Sequence, residues 1–498
     1  MFQLYLHQEQ VIGELRQGLM DGHKRQVLAL ATGGGKTVVA AHLSRSAVEK
    51  GKRVLFIVDR IELVGQAVAT FHALGLQVGV LQGDNTNYSR EDDIIVASIQ
   101  TIRSRAAPDW VHVVIIDECH ILHQAHIKLM ETWNALPFVG LSATPLRKGL
   151  GKYFTNLVRG PSVRWLTDHG FLVPCRGFAP AADAVAEALK GVKKGTTTNG
   201  YDYLEADLAA AVNSKELVGD IVTTWQERGE NRPTLCFAVN IAHSKAIRDD
   251  FEAVGVTVGH IDAYTEAPER KRLIQGFRDG DIRILTSVNV LGIGFDVPDA
   301  ACLILARPTL SEALHMQQMG RGIRTAEGKR DCLVLDHSGN TLKHGLPVHF
   351  EVPDLDDGEK GKAEKRKKKD QEEFILCSHC GAVMERTEMT CQECGLDRPD
   401  RRPKVSYRDG DLVEFGAADE DIATGDDARM LFYRRCLGVL VAQGKKPGAA
   451  YFLTREKFKG FEPPKHWRGL LPDNPTPEVA RWIKSRNIRW AKGQGKAK

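Results

Sequence analysis

The stretch Ala31-Thr-Gly-Gly-Gly-Lys-Thr37 decides how the rest of the chain is read. It follows the apolar run Val27-Leu-Ala-Leu30, which suits a buried parallel strand, and it precedes Val38, Val39, Ala40, Ala41 and Leu43, which suit a packed helix. Strand, glycine-rich turn and helix form the setting of a phosphate-binding loop. Glycines let the backbone turn its N–H groups toward phosphate oxygens, at the positive end of the helix dipole. Thr32, Gly33, Gly34 and Gly35 would form the cradle, Lys36 would reach the β- and γ-phosphates, and the Thr37 hydroxyl would hold Mg2+. The residue five places before Gly35 is Leu30, so the strict eight-residue pattern lacks its first glycine. An ordinary glycine-rich turn followed by a lysine is the competing reading.

Working outward, the apolar run Val111 to Ile116 leads into Asp117-Glu118-Cys119-His120. A buried strand would deliver both acids to its C-terminal edge, where the phosphate loop also lies. Asp117 is then placed to hold Mg2+ and Glu118 to orient and deprotonate an attacking water; a solvated acidic turn is the alternative. The runs Arg53 to Val58, Ile94 to Ala97 and Phe138 to Leu141 alternate with helical patterns, as in a parallel sheet covered on both faces. Ligands on such sheets bind beyond the C-terminal ends of the strands. Arg60 and Thr101, which follow two of these runs, are therefore candidates for phosphate-backbone contacts, with helix caps and surface charge as the alternative. Ser142 and Thr144 follow a third run and could link nucleotide state to movement. Gln8, near the start of the first helical pattern, can both donate and accept, as reading an adenine edge requires.

A second α/β unit opens with the strand Pro233 to Val239, which runs into Asn240 and His243. A further strand, Ile282 to Leu285, enters Thr286 and Ser287 and then the glycine-rich turn containing Gly294 and Asp296. After the strand Cys302 to Leu305 comes Gln317-Gln-Met-Gly320-Arg321-Gly-Ile-Arg324. A planar guanidinium that stays charged suits the charge developing on a transferred phosphoryl group.

The order of these motifs over about residues 1 to 345 resembles helicase superfamily 2, with a DECH form of the Asp-Glu box. The resemblance implies two tandem RecA-like domains with parallel sheets and ATP in the cleft between them. Within it, the missing first glycine looks like the variant Thr-Gly-x-Gly-Lys-Thr. Gln8 looks like the adenine reader, and Ser142 and Thr144 look like the residues coupling hydrolysis to nucleic-acid binding. Gln317, Arg321 and Arg324 would complete the ATP site from the second lobe. Gly294 and Asp296 look like ribose or coupling residues, and Thr286 and Ser287 like nucleic-acid backbone contacts, with Asn240 and His243 beside them. Many family members have glycine one place before the last arginine where this chain has Ile323, which leaves the choice of principal arginine finger open.

Composition narrows the rest. At 498 residues the chain is too long for one core. No apolar run approaches the roughly 18 residues of a membrane span, and the N-terminus lacks a signal-peptide pattern, so a cytoplasmic protein is expected. The net charge of +4 does not by itself point to nucleic acid, but Lys360 to Lys369 and the tail from Lys465 onward are basic. Of the ten cysteines, four form Cys377-Ser-His-Cys380 and Cys391-Gln-Glu-Cys394, each pair followed by a glycine. Four thiolates at this spacing favour a closed, structural Zn2+ site. The expected domains are residues 1–150, the first RecA-like lobe; 151–228, a connection with a small insertion; 229–348, the second lobe; 349–373, a charged linker; 374–400, the zinc module; and 401–498, a basic helical C-terminal domain. Within the connection, a strand is expected around Phe171 to Pro174 and a loop at 195–200.

The DECH core, the four-cysteine site and the Pro-Gly-then-Lys-Phe tail together resemble RadD-type and related phage helicase-like proteins. That resemblance implies a DNA-dependent ATPase or helicase in recombination, repair or phage replication. It also implies recombination or single-strand-binding proteins as partners, and no membrane. An RNA helicase, or an ATP-switched DNA-binding recruitment protein without unwinding activity, are the alternatives.

Overall fold

A computed structural model describes residues 4–59, 61–85, 87–180, 185–187, 189–197, 200–213, 221–288, 297–358, 374–398, 426–458, 461–476, 479–480, 482–484 and 486. Arg60, Gly294, Asp296 and the basic run 360–369 lie outside them.

The first sheet contains β1 (Arg25–Ala29), β2 (Val54–Val58), β3 (Gly79–Leu81), β4 (Ile94–Ser98), β5 (Val113–Ile116), β6 (Phe138–Ser142) and β7 (Asn156–Arg159). Its order is β3-β4-β2-β5-β6-β1-β7, parallel throughout. The continuous apolar runs have a simple cause: each central strand is covered on both faces. Val54, Phe56 and Val58 point into one core and Leu55 and Ile57 into the other, the period of two that a strand imposes.

The second sheet contains β8 (Cys175–Phe178), β11 (Thr234–Phe237), β12 (Val258–Ile261), β13 (Ile284–Ser287), β14 (Cys302–Leu305) and β15 (Cys332–Asp336). Its order is β12-β13-β11-β14-β15-β8, again parallel. Leu235 and Phe237 fill one core, Cys236 and Ala238 the other.

The segment after residue 150 is shared between the sheets. β7 pairs with β1 in the first, and β8 pairs with β15 in the second. The strand expected at Phe171 to Pro174 is found four residues later, as β8; Leu172 forms only an isolated bridge to Arg324. The loop expected at 195–200 is instead part of a hairpin between β9 (Lys194–Thr197) and β10 (Gly200–Tyr203). The threonines at 196 and 197 carry the β-branched preference that a polar composition obscured.

Beyond the second sheet the chain returns to the first lobe. Asp356 Oδ1 accepts from Gly149 N at 2.9 Å, its carbonyl accepts from Gly151 N at 2.7 Å, and Leu355 packs in the first-lobe core. A short hairpin, β16 (Phe374–Leu376) and β17 (Val383–Glu385), then carries the first cysteine pair. This module is held on the second lobe. Arg176 of β8 pairs with Asp331 at 2.8 Å and with Glu393, Arg228 donates to Cys380 O at 3.1 Å, and Arg228 lies over the Phe178 ring.

Residues 401–498 form a separate compact unit. Its helices Asp426–Ala442 and Ala449–Lys457 bury Tyr433, Leu437, Leu440, Leu453 and Trp467 in a small core of their own. No helix among the described residues is long and apolar enough to cross a membrane.

Candidate nucleotide site between two lobes

The P-loop leaves β1 and enters the helix Lys36–Val48 directly. Gly33 and Gly35 have φ of 86° and 90°, left-handed conformations that cost most side chains energy and glycine little. Gly34 N donates to Ala31 O at 2.9 Å, closing the turn, and Lys36 Nζ donates to Leu30 O at 3.4 Å. Gln8 is buried against this loop: its Nε2 donates to Gly34 O at 3.2 Å and its Oε1 accepts from Tyr5 N at 3.1 Å. One end of its amide holds the loop and the other caps the start of its own helix.

β5 ends at Ile116 and delivers Asp117 and Glu118 to the same edge. Glu118 has φ 48°, a strained position for a residue with a side chain and one that concentrates at functional sites. Burial pushes the Asp117 carboxyl up, to about 7, and the neighbouring Glu118 charge adds to the push. Burial acts the same way on Glu118, but Lys36, His120 and Arg321 outweigh it and hold that carboxyl at about 2. Two adjacent carboxylates are thus driven apart by their surroundings, as acid–base sites require.

The second lobe closes the site through the helix Glu312–Gly322. Gly320 is pressed on the P-loop: a Cβ there would lie 2.6 Å from Thr32 Cβ. Arg321, buried, is close enough to help lower Glu118. Arg324 lies by Gly33, its Cγ 3.5 Å from where a Cβ on that glycine would stand.

His120 joins the two lobes, a residue that sequence reasoning left out of the site although the DECH box contains it. Its Nε2 lies 3.0 Å from Gln317 Nε2, so with this amide orientation the amide donates and the ring nitrogen accepts. The imidazole proton is then on Nδ1, which faces Ser142 Oγ at 3.0 Å and Glu118 Oε2 at 3.3 Å. Ser142 Oγ also accepts from Thr144 N at 3.1 Å. Gln317 therefore contacts the histidine beside the acidic pair, and Ser142 and Thr144 connect to the same histidine.

The residues expected to touch nucleic acid are mostly inside the protein. Thr101 is buried; its hydroxyl accepts from Gly83 N at 2.8 Å and bonds Ser98 Oγ at 2.8 Å. Asn240 Oδ1 accepts from His243 N at 2.8 Å, capping the helix Ile241–Ala253. His243 is buried, which lowers its imidazole to about 4. Thr286 and Ser287 are fully buried at the end of β13, and Thr286 Oγ1 donates to Gly259 O at 3.4 Å. In this arrangement these side chains shape the strand ends instead of presenting polar atoms outward.

In the cysteine module, Cys377 Sγ lies 3.7 Å from Cys394 Sγ, and Cys380 Sγ lies 3.7 Å from Cys391 Sγ. All four sulfurs fall within 4.8 Å of one another. Zn–S bonds of about 2.3 Å arranged tetrahedrally separate sulfurs by about 3.8 Å, so the donor set fits zinc. The backbone N–H groups of Cys380 and His379 hold the Cys377 thiol down at about 6, while burial pushes the Cys380 thiol up to about 12.

Residues 1–147 match the family described as "Type III restriction enzyme, res subunit", and residues 214–326 match "Helicase conserved C-terminal domain". The chain is 29% identical over 374 residues to a 51.5 kDa protein of a Lactococcus phage, covering 73% of this chain and 76% of the phage protein. It is 28% identical over 360 residues to a Saccharomyces cerevisiae protein named for ATP-dependent helicase activity, IRC3, covering 67% of this chain and 51% of that one. The chain thus spans only about half the length of the yeast relative. A fragment of an HsdR subunit of a type I restriction enzyme from Vibrio vulnificus shares the fold. It superposes with a TM-score of 0.51 at 24% identity, over 71% of this chain and 69% of the fragment.

Proposed function

We propose that this chain, a member of helicase superfamily 2, hydrolyses ATP between its two lobes and couples the turnover to DNA. The observation that carries the reading is the seating of Gly320 on Thr32, which brings Arg321 of one lobe to Glu118 of the other. Such a site is complete only when both lobes are in place, and that gives DNA bound across the lobes a way to control it.

In this reading Lys36 binds the transferred phosphate. Arg321 and Arg324 stabilise the charge that develops on it, and Glu118 takes the proton of the attacking water. Thr37 and Asp117 are the oxygen donors that would hold Mg2+, whose charge would neutralise the β- and γ-phosphates. Two buried acids side by side, with one pushed toward its neutral form by burial, suit a divalent cation. Gln317, Ser142 and Thr144, all linked to His120, couple the site to lobe movement. The cysteine module takes structural Zn2+.

DNA is the favoured polymer because the family matching residues 1–147 is named for a restriction enzyme. The RadD-like resemblance adds recombination or single-strand-binding proteins as partners. Six cysteines spaced singly and four in a metal-binding pattern suit a reducing, cytoplasmic setting.

The test is turnover. Lys36→Ala and Glu118→Gln should each lower DNA-stimulated ATP hydrolysis by about 10²-fold or more, with an unchanged melting temperature. Comparison of single-stranded DNA, duplex DNA and RNA as activators checks the polymer. Wild-type turnover in either variant, or stimulation by RNA alone, would overturn the reading.

A further inference from the structure

Residues 185–213 fall outside both family matches. Their described part consists of the β9–β10 hairpin and the helix Glu205–Asn213. The hairpin is fastened to the second lobe by a buried carboxylate. Asp202, 1% exposed, accepts from Thr309 Oγ1 and from Leu310 N, both at 2.7 Å, and lies 4.0 Å from Arg307. Such a charge is costly to bury unless it is bonded this completely. Tyr203, Leu208 and Ala209 pack on Val239, just beyond β11, and on Leu310, beyond β14. The hairpin therefore stands at the C-terminal edge of the second sheet, the edge where parallel sheets gather ligands.

Strand alternation gives the hairpin two faces. Asp202 is on the anchored face. Lys194, Thr196, Tyr201 and Tyr203 share the other, with Tyr203 opposite Lys194 and Tyr201 opposite Thr196; Tyr203 is itself buried against the lobe, and Lys194, Thr196 and Tyr201 are the exposed members. Lys194 lies 5.6 Å from the centre of the Tyr203 ring, and Lys343, from a different element, lies 5.7 Å from it. Two ammonium groups are thus drawn together over one ring, next to Tyr201, which is 61% exposed. Lys190 is partly offset by Glu187 at 3.3 Å and Lys343 donates to Thr309 O at 3.5 Å, so the weight falls first on Lys194, with Lys343 beside it.

We propose that this face is a DNA contact, taking the phosphate backbone at Lys194 and Lys343 and stacking a base on Tyr201. A basic groove beside an aromatic platform is how single strands are held without sequence preference. The inference rests on the DNA reading above. It also supplies exposed groups at an edge whose other candidates, Thr286, Ser287 and His243, are buried.

Binding of labelled single-stranded DNA, followed by fluorescence anisotropy across a salt series, tests it. The charge reversal Lys194→Glu should weaken binding roughly tenfold or more, and Lys194→Ala should reduce the salt slope by about 0.7. Tyr201→Ala should weaken binding roughly tenfold while Tyr201→Phe stays near wild type, all at unchanged melting temperature. If wild type binds and every variant matches it in affinity and slope, the hairpin contact is overturned and the ATPase reading stands. If wild type itself neither binds nor is stimulated by DNA, both fall.

Discussion

The P-loop and the segment Gln317 to Arg324 are both punctuated by glycine, and the glycines serve different ends. In the P-loop, Gly33 and Gly35 adopt φ of 86° and 90°, so they are there for backbone geometry. In the second-lobe helix, Gly320 and Gly322 are helical and are there for room. The room at Gly320 is taken by Thr32 of the other lobe, whereas at Gly322 a Cβ would come 2.3 Å from Cys332 Sγ and 2.8 Å from Leu303 Cδ1 in its own core. Two glycines two residues apart thus border the candidate nucleotide site and a hydrophobic core, and the letters alone do not distinguish them.

Substitution separates them. Gly320→Val should drive the two lobes apart at the P-loop and lower DNA-stimulated ATP hydrolysis roughly 100-fold, because small displacements of reacting groups are that costly. Its melting temperature should stay near wild type, since the contact lies between lobes. Steady-state turnover beside a thermal melt decides this, and a large loss of stability with little loss of turnover would break the distinction.

Gly322→Ala should act the other way. Overpacking a filled core costs about 1–3 kcal/mol, so its melting temperature should fall. Below that temperature, turnover should remain within a fewfold of wild type. A variant as stable as wild type but inactive would mean that Gly322 also belongs to the site.

The same contrast explains what the sequence could and could not show. Val54 to Val58, Ile94 to Ser98 and Val113 to Ile116 were legible as strands because burial on both faces makes them continuously apolar. The P-loop, the acidic pair and the cysteine knuckles were legible because their chemistry depends on spacing along the chain. Thr286 and Ser287 end β13, and Thr101 and His243 lie in the helices that follow β4 and β11, but the direction of these side chains was not readable. Whether a hydroxyl faces solvent or Gly83 N depends on packing between elements distant in sequence. β8, an edge strand reading Cys-Arg-Gly-Phe, lacks an apolar run. The return of Asp356 to Gly149 spans more than two hundred residues and leaves no local pattern. The β9–β10 hairpin carried only a weak signal, the β-branched Thr196 and Thr197 among glycines and lysines.

The smallest effect isolates the geometric role with no packing involved. Gly381 follows the first cysteine pair at φ 75° with nothing within 4 Å of where a Cβ would stand. Its N–H donates to Cys377 O at 3.0 Å, closing the knuckle. Alanine there meets no neighbour, so its whole cost is the left-handed backbone, roughly 1–2 kcal/mol. Asparagine adopts that region more readily and should recover part of the loss. Measured as competition for zinc against a coloured chelator, Gly381→Ala should give up its metal at a chelator concentration roughly tenfold lower, and Gly381→Asn at one in between. Equal retention by all three would mean that the turn does not depend on glycine's freedom. A loss in Asn as large as in Ala would point to hidden crowding, which would make this glycine resemble Gly322 more than Gly35.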